Sequence, residues 1–446
     1  MNLIKIILKY VPDVLQPKRK VVKKLKFYRA VRILGPGLVT GAADDDPSGI
    51  ATYSQTGAQF GFGQLWTALY QIPLLIGIQE ACARIGAVAG KGLAGVVKDN
   101  YSRKVLYGVV VLVALANIIN VGADIGAVSA SVKLVVNIPF ALIAILTAII
   151  IALLEIFISY KVYAKILKWL ALALLSYPIT ALIVHENWGK ILYATVVPHI
   201  SLTFSFLFII TGVFGTTISP YMFFWQSSGE VEEEISHHMV AQRGGIPRLT
   251  KKFLKDLKID NTAGMLAAEL AQWFIIITTA TVLFNHGIHN INTAAQAARA
   301  LQPLVRTFPD SGQLAKDIFA VGVIGLGFLA IPILAGSAAY ALSEAFGWKE
   351  GLYRKFSKAR GFYGVIIIAT LIGLGINFLG INPLKALVFT AVFNGVAAVP
   401  LVFLIARINS NKKILGEYVG GKLSRMIVWL TFIVMATASI ALFYTL

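Results

Sequence analysis

The stretch Ala43-Asp44-Asp45-Asp46-Pro47-Ser48-Gly49 places three acidic residues and a Pro-Ser-Gly break inside an apolar segment from about residue 31 to residue 60. A carboxylate near the bilayer centre costs at least ~2.5–3.5 kcal/mol on insertion scales, so such acids usually serve a purpose. Proline removes a backbone donor and glycine loosens a helix. We therefore predict an unwound mid-membrane segment whose carbonyls and carboxylates face a polar cavity, as in a cation site.

The whole chain has the composition of a polytopic membrane protein. Of its 446 residues, 57% are hydrophobic and only 14% are charged, whereas a soluble protein has roughly 25% charged residues. No cleavable signal peptide is predicted, because the start of the chain is too basic and its apolar runs are too short. Apolar segments near the ~20 residues that a bilayer requires predict spans 1 to 11 at 36–58, 65–87, 105–131, 138–158, 164–184, 203–227, 263–285, 317–343, 362–380, 384–406 and 424–444.

The chain has a net charge of +19, and the positions of its basic residues indicate the membrane topology. With the N-terminus inside, 34 of the 40 Lys and Arg residues lie on the cytoplasmic side, which is the positive-inside pattern. We therefore predict an integral protein of the plasma (inner) membrane with a cytoplasmic N-terminus and an external C-terminus. The basic excess would face anionic lipid, so the lipid bilayer is the expected partner and nucleic acid is not.

A second break predicts internal symmetry. Span 6 contains Gly215-Thr216-Thr217-Ile218-Ser219-Pro220-Tyr221, again small polar residues before a mid-helix proline. Spans 1 and 6 lie five spans apart and start on opposite sides of the membrane, which indicates inverted repeats. The predicted fold is all-α: a basic segment at 1–32, then a single transmembrane domain at 33–446. Its parts are repeat one at about 33–185, repeat two at about 203–406 and an extra helix at about 424–444.

Both breaks resemble those of the NRAMP family of divalent-metal transporters. Gly35-Pro36-Gly37 followed by Asp46-Pro47-Ser48-Gly49 is similar to the family's first helix, which reads Asp-Pro-Gly-Asn at the break. Residues 216–221 are similar to its Ala-Thr-Val-Met-Pro-His break. The resemblance covers about residues 33–405, with further matches at Arg84, Gly86, Gly90-Lys91-Gly92-Leu93 and Asp124. It implies a LeuT-like fold and a metal site between helices 1 and 6.

The departures from the family pattern decide which ion is expected. Asp46 keeps the metal-binding aspartate, but Gly49 replaces the asparagine and Ser219 replaces the methionine. The family's two span-6 histidines and its span-3 glutamate become Tyr221, Gln226 and Ala127. Without a thioether the site is oxygen-only and less crowded, which suits Mg²⁺ and Mn²⁺. This combination resembles the NRAMP-related magnesium transporters.

The sequence therefore predicts import of a hard divalent cation, Mg²⁺ and also Mn²⁺, by a protein that is not an enzyme. The ion is the transported substrate, and no cofactor is expected. The predicted metal site comprises Asp46, Ala43, Ser48, Gly49, Thr216 and Ser219. Residues predicted for the vestibule or the second coordination sphere are Asp44, Asp45, Asp124, Tyr221, Gln226 and Asn394. The oligomeric state is left open, and a monomer would suffice.

Structural alternatives stay open for several of these residues. Asp44 and Asp45 either attract the cation or cap the outer half-helix. Ser219 is either a ligand or a small residue at a helix contact. Asp124 either lies on the ion path or is a structural partner of a basic residue or of backbone. Glu155 and Glu269 are expected near span ends, and residues 229–262 are expected to form a solvated cytoplasmic loop with a short helix.

Energy coupling is predicted from the positions of the histidines. All six fall in loops or at span ends, so the side chain best suited to titrate near neutral pH is absent from the predicted core. With Ala127 in place of an acid, we expect uncoupled, facilitated transport. Two other functions remain open: a proton-coupled Mn²⁺/Fe²⁺ importer, and an amino-acid symporter of LeuT-like fold.

Overall fold

The chain folds into a bundle of helices, as the sequence predicts. A computed structural model describes residues 35–157, 175–184, 187–240 and 242–445, and these ranges contain helices and no strand. The predicted basic segment at 1–32 and most of the predicted span 5 lie outside the described residues. The fold is LeuT-like, with spans 1 and 6 each broken into two helices.

The helices before the second break begin with the two halves of span 1, α1 (Pro36–Asp44) and α2 (Pro47–Phe60). Spans 2 to 4 correspond to α3 (Trp66–Ala89), α5 (Arg103–Val135) and α6 (Phe140–Phe157). Shorter helices in this part of the chain are α4 (Leu93–Asn100), α7 (Ser176–Ile183) and α8 (Trp188–Val196). Helix α7 is the described part of predicted span 5.

The second half begins with the two parts of span 6, α9 (Phe204–Thr217) and α10 (Pro220–Ser236). Later spans correspond to α11 (Lys251–Val282), α13 (Ser311–Phe346), α14 (Arg360–Ile376), α15 (Pro383–Asn409) and α17 (Lys422–Tyr444). The short helices α12 (Ala294–Ala298) and α16 (Lys412–Leu415) lie in connections. Within the described ranges, eight helices are long and apolar enough to cross a membrane, with span 6 treated as continuous.

The predicted solvated loop at 229–262 is wrong in its extent. Helix α10 continues to Ser236 and α11 begins at Lys251, so most of this segment is helical. Its acidic residues do not all face solvent, because Glu230 is buried and accepts a hydrogen bond from the Gln226 side chain. The Asp260 carboxylate accepts hydrogen bonds from three backbone amides at the start of α1. Internal partners therefore allow the helices to extend through charged sequence.

The helix contacts made by one half of the chain are repeated by the equivalent helices of the other half, as inverted repeats predict. Span 1, formed by α1 and α2, packs along α11, which is span 7. In the equivalent contact of the other half, α10 of span 6 packs along α3, which is span 2. Helices α5 and α13, the third span of each half, pack extensively against each other. The centre of the bundle therefore lies where the two broken spans meet their counterparts.

Close backbone approach holds span 1 against α11. A Cβ atom added at Gly41 would collide with the Gly264 backbone. Neighbouring contacts join Gly37 to Asn261 and Gly57 to Ile276. The contacts follow the same order along both segments, so span 1 and α11 run side by side in the same direction. Small residues permit this approach, as is common between membrane helices.

We expect Gly41→Val to destabilise the bundle by about 3 kcal/mol, the upper end of the usual cost of overpacking, because the backbone that it meets has no flexible atom to move. The measurement is the thermal unfolding temperature in detergent. The matched control is Gly364→Val, where an added Cβ has no neighbour within 4 Å. Equal unfolding temperatures for the two variants would contradict the close α1–α11 contact.

Candidate functional site

The break in span 1 consists of Asp45 and Asp46. Helix α1 ends at Asp44, Asp45 has φ −82° and ψ 39°, and Asp46 is extended with φ −60° and ψ 173°. Pro47 then begins α2. A residue before proline disfavours helical backbone, and the proline has no N–H to donate to the carbonyl four residues earlier. The Ala43 carbonyl is therefore left without its helical partner.

The break in span 6 repeats this geometry. Ile218 has φ −105° and ψ 66°, Ser219 is extended with φ −93° and ψ 142°, and Pro220 begins α10. The same reasoning leaves the Thr216 carbonyl without a helical donor. Each broken span thus presents a freed carbonyl four residues before its proline. These two carbonyls are the backbone oxygens predicted for the metal site, and they lie at helix C-terminal ends, whose dipoles favour cations.

Asp46 caps the helix that follows it. Its side chain is 1% exposed, and Oδ1 accepts hydrogen bonds from the Gly49 amide at 2.8 Å and the Ser48 hydroxyl at 2.6 Å. Among the described residues, Oδ2 has only a long contact of 3.5 Å, with the Tyr221 hydroxyl. One carboxylate oxygen is therefore occupied in holding the helix start, while the other remains available to a cation.

The two breaks face each other through oxygen atoms. The Ser48 hydroxyl lies 3.2 Å from the Thr216 hydroxyl, and the Tyr221 hydroxyl donates to the Ala43 carbonyl at 2.8 Å. The buried Ser219 hydroxyl has no hydrogen-bond partner among the described residues. Most of the predicted site residues thus meet at one place. Tyr221, predicted only for the surroundings, contacts the centre directly.

Gly49 is more closely packed than the sequence suggested. We expected loss of the family's asparagine to leave a roomier pocket, but a Cβ atom at this position would lie 3.0 Å from the Asp44 carbonyl oxygen and 3.4 Å from the Thr216 hydroxyl. The nearest neighbours are the Asp44 carbonyl and the Tyr53 ring of span 1 itself, followed by Thr216 at the end of α9. A larger side chain would therefore have to displace these neighbours.

The other acids near the break are buried and have carboxylate oxygens that lack hydrogen-bond partners among the described residues. Asp44 and Asp45 each have one carboxylate oxygen with no hydrogen-bond partner among the described residues, and Asp124 on α5 has two. Asp124 lies within electrostatic range of Asp46. Because Asp46 is the residue that caps α2, the capping alternative for Asp44 and Asp45 is wrong. Among the described residues, Asp124 likewise has no basic or backbone partner.

Two further predicted residues, Gln226 and Asn394, lie on α10 and α15. Gln226 lies on α10 and connects this helix to α1. Its side chain accepts a hydrogen bond from the Thr40 hydroxyl at 2.6 Å and donates one to the Glu230 carboxylate, one turn further along α10, at 2.7 Å. Asn394 is buried on α15, and its amide nitrogen has no hydrogen-bond partner in the described part of the chain. Gln226 therefore acts in helix packing, and Asn394 stays a prediction.

Glu269 is the functional candidate that the sequence reasoning placed wrongly. It was expected near a span end, but α11 begins at Lys251, twelve residues before the predicted start at 263, so Glu269 lies well inside the helix. It is 2% exposed and both its carboxylate oxygens lack hydrogen-bond partners among the described residues. Its carboxylate lies within electrostatic range of Asp44 and Asp45. The sequence reasoning missed that α11 extends well beyond the N-terminal end of its apolar segment.

The donor set is not a preformed cluster of acids and histidines. Among the described residues, no group of three or more His, Cys, Asp or Glu side chains is placed to hold a metal ion. The arrangement at the breaks instead combines one free carboxylate oxygen with carbonyl and hydroxyl oxygens. Hard cations that retain part of their water shell need few charged ligands, so this mixture fits them.

Comparisons with known proteins agree with this geometry. A family profile described as "Natural resistance-associated macrophage protein-like" (Nramp) matches residues 37–445. A protein of Caldanaerobacter subterraneus subsp. tengcongensis, named divalent metal cation transporter MntH, is 24% identical, with 92% of each chain covered. The Eremococcus coleocola manganese transporter has a TM-score of 0.71 at 16% identity, covering 93% of this chain and 86% of its own. MhsT, solved with L-phenylalanine, has a TM-score of 0.58 at 12% identity over 92% and 98% of the two chains.

Proposed function

Because the chain belongs to the Nramp family, we propose that it carries hard divalent cations, Mg²⁺ and also Mn²⁺, into the cytoplasm by alternating access without proton coupling. Asp46 supplies the charge that binds the ion. The Ala43 and Thr216 carbonyls and the Ser48 and Ser219 hydroxyls bind it directly or through retained water. The half-helices on either side of the breaks supply the movable elements that alternating access requires.

The observation that carries this proposal is the chemistry of the gap between the two breaks. The groups that meet there are a carboxylate, a carbonyl and hydroxyls, all of them oxygen donors. The thioether of Met222, which follows the break, belongs to the apolar core. Oxygen donors suit Mg²⁺ and Mn²⁺, whereas thioethers favour softer metals. The absence of a soft ligand at Ser219 therefore supports a hard cation as the substrate.

The alternative of a proton-coupled Mn²⁺/Fe²⁺ importer has support from the relatives named as divalent metal cation or manganese transporters. The surroundings of Ala127 argue against coupling. This residue, which stands where the family has an acid, is buried in an apolar cluster with Ile50 and Ala123. An amino-acid symporter is disfavoured, because the buried carboxyl groups beside the break would repel a substrate carboxylate.

The direct test is Mg²⁺ uptake by purified protein in liposomes, followed with an internal Mg²⁺-sensitive dye. We expect saturable uptake that Mn²⁺ inhibits competitively, and no uptake in protein-free liposomes. Uptake of Mn²⁺ that excess Mg²⁺ leaves unchanged would contradict Mg²⁺ as a substrate.

Selectivity is expected to change in the double variant Ser219→Met with Gly49→Asn. The new thioether is a soft ligand, and the asparagine narrows a position that is already closely packed, so preference should shift toward Cd²⁺ and away from Mg²⁺ by at least about tenfold. The measurement is Cd²⁺ competition against Mg²⁺ uptake. The single variants Ser219→Met and Gly49→Asn separate the ligand effect from the packing effect.

Folding must be checked in this double variant, because a Cβ atom at residue 49 already lies close to the Asp44 carbonyl. A variant that elutes as a single species and unfolds near the temperature of the unmodified protein is suitable for the comparison. Unchanged competition between Cd²⁺ and Mg²⁺ in such a folded variant would show that these two positions do not set selectivity.

A further inference from the structure

We propose that Gln272 of α11 positions the span-6 break and, through it, the Thr216 carbonyl predicted to bind the ion. The Gln272 side chain is hydrogen-bonded to the neighbouring Thr217 rather than to a predicted ligand, so it acts as a positioning residue. This inference rests on the proposed function, because it assumes that the two breaks together bind the transported cation. It adds α3 and α11 to the elements that hold the site.

The two breaks differ in how the helix that follows each of them is held. In span 1, the Asp46 side chain caps α2 by accepting a hydrogen bond from the Gly49 amide. In span 6, Ser219 occupies the equivalent position before α10, but its side chain makes no capping hydrogen bond and its hydroxyl has no partner among the described residues. The span-6 break therefore lacks a local side-chain cap, so contacts from other helices have to fix its geometry.

These contacts meet at Thr217, the last residue of α9. Its buried hydroxyl lies 3.2 Å from the side-chain oxygen of Gln272 and 2.9 Å from the Val213 carbonyl. The Tyr53 hydroxyl of α2 lies 2.9 Å from the same Thr217 oxygen. A hydroxyl has one proton and two acceptor lone pairs, so donation from Tyr53 leaves the Thr217 proton free to bond Gln272. Thr217 thus joins α2 and α11 directly at the break.

Gln272 is itself held from the opposite side by α3. Its amide nitrogen donates to the Gln71 side-chain oxygen at 2.9 Å and to the Thr67 hydroxyl at 3.2 Å. This assignment of the two N–H groups directs the Gln272 oxygen toward Thr217. All of these side chains are 0% exposed, and buried polar groups with satisfied hydrogen bonds are held rigidly. The position of Thr217 is therefore fixed by two helices that lie outside the break.

The link from Thr217 to the ion is the peptide bond that precedes it. The Thr216 carbonyl and the Thr217 amide share one planar unit, so a rotation of the backbone at Thr217 turns the carbonyl away from the opposite break. This carbonyl has no helical donor to hold it, because Pro220 lies four residues later. Removing a group that orients a metal ligand typically weakens metal binding 10–100-fold. Gln272 is thus expected to control ion affinity without contacting the ion.

The test measures the Mn²⁺ dissociation constant of the purified full-length protein by equilibrium dialysis, together with KM and kcat for Mg²⁺ uptake in liposomes. We expect Gln272→Leu to raise the dissociation constant and KM by about tenfold or more, with a smaller change in kcat. Thr217→Val should have the same effect, and Thr217→Ser, which keeps the hydroxyl, should restore affinity. The double variant Gln272→Leu with Thr217→Val should bind no more weakly than either single variant, because both remove the same contact.

The matched control is Gln79→Leu, which removes a fully buried glutamine of α3 whose amide has no hydrogen-bond partner among the described residues. It should leave the dissociation constant unchanged. An unchanged constant in a folded Gln272→Leu variant, or effects that multiply in the double variant, would overturn the positioning role and leave the proposed function intact. If Gln272→Leu does not fold, equal affinities of Thr217→Val and Thr217→Ser would overturn it instead. An unmodified protein that binds neither Mn²⁺ nor Mg²⁺ would contradict the proposed function itself.

Discussion

Asp46→Ala is expected to reduce Mg²⁺ uptake to the level of protein-free liposomes. Its Oδ2 is the carboxylate oxygen at the meeting point of the two breaks that lacks a short hydrogen bond. Loss of a charged ligand in a low-dielectric site typically costs 2–5 kcal/mol or more, which corresponds to roughly 30-fold to several thousand-fold in affinity. We do not expect the neighbouring acids to compensate, because among the described residues it is Asp46, and not Asp44 or Asp45, that is hydrogen-bonded to Ser48 and contacts Tyr221.

Asp46→Asn separates ion binding from folding. Aspartate and asparagine are comparable helix caps, whereas alanine loses about 1 kcal/mol of capping. The asparagine variant should therefore retain the start of α2 and still lose uptake almost completely, since it keeps size and removes charge. Uptake and thermal unfolding are measured for both variants beside the control Glu155→Gln, which removes a buried carboxylate on α6. Near-normal uptake by either Asp46 variant would overturn the assignment of the site.

Membrane potential alone is expected to drive Mg²⁺ accumulation in liposomes. Uncoupled entry of an ion with two charges gains about 4.6 kcal/mol at 100 mV, from ~2.3 kcal/mol per elementary charge. This free energy corresponds to a concentration ratio of roughly two thousand. This driving force requires no proton gradient. That agrees with the apolar surroundings of Ala127, the position at which the family pattern has an acid.

The measurement sets an inside-negative potential with a K⁺ gradient and valinomycin, and follows internal Mg²⁺ and internal pH with separate dyes. Uptake should rise with the potential and remain unchanged by a pH gradient at fixed potential. Protein-free liposomes loaded in the same way correct for proton leak. Metal-dependent acidification in a fixed ratio to Mg²⁺ uptake would contradict uncoupled transport and would direct attention to Asp124 as a proton carrier.

Much of the site could be predicted because its geometry depends on residues that are close together in the sequence. The two prolines remove the donors for Ala43 and Thr216, and this effect depends only on residues four positions apart. The positions of the breaks and of Asp46 followed from the same local rule. By contrast, the roles of Gln226 and Tyr221 depended on which turn of α10 faces α1, and the sequence reasoning placed both residues in the surroundings without distinguishing them.

The amino-acid sequence by itself determined the membrane spans, the two interrupted helices and the acid between them, because hydropathy and proline geometry act within a single segment. Only the tertiary structure decided which acids face which helix. It placed Asp46 as the cap of α2 with its other oxygen toward Tyr221 of span 6, and it buried Glu269 inside α11, the helix that packs along span 1. These outcomes depend on the close passage of Gly41 past Gly264, a contact between residues more than two hundred positions apart that no local pattern specifies.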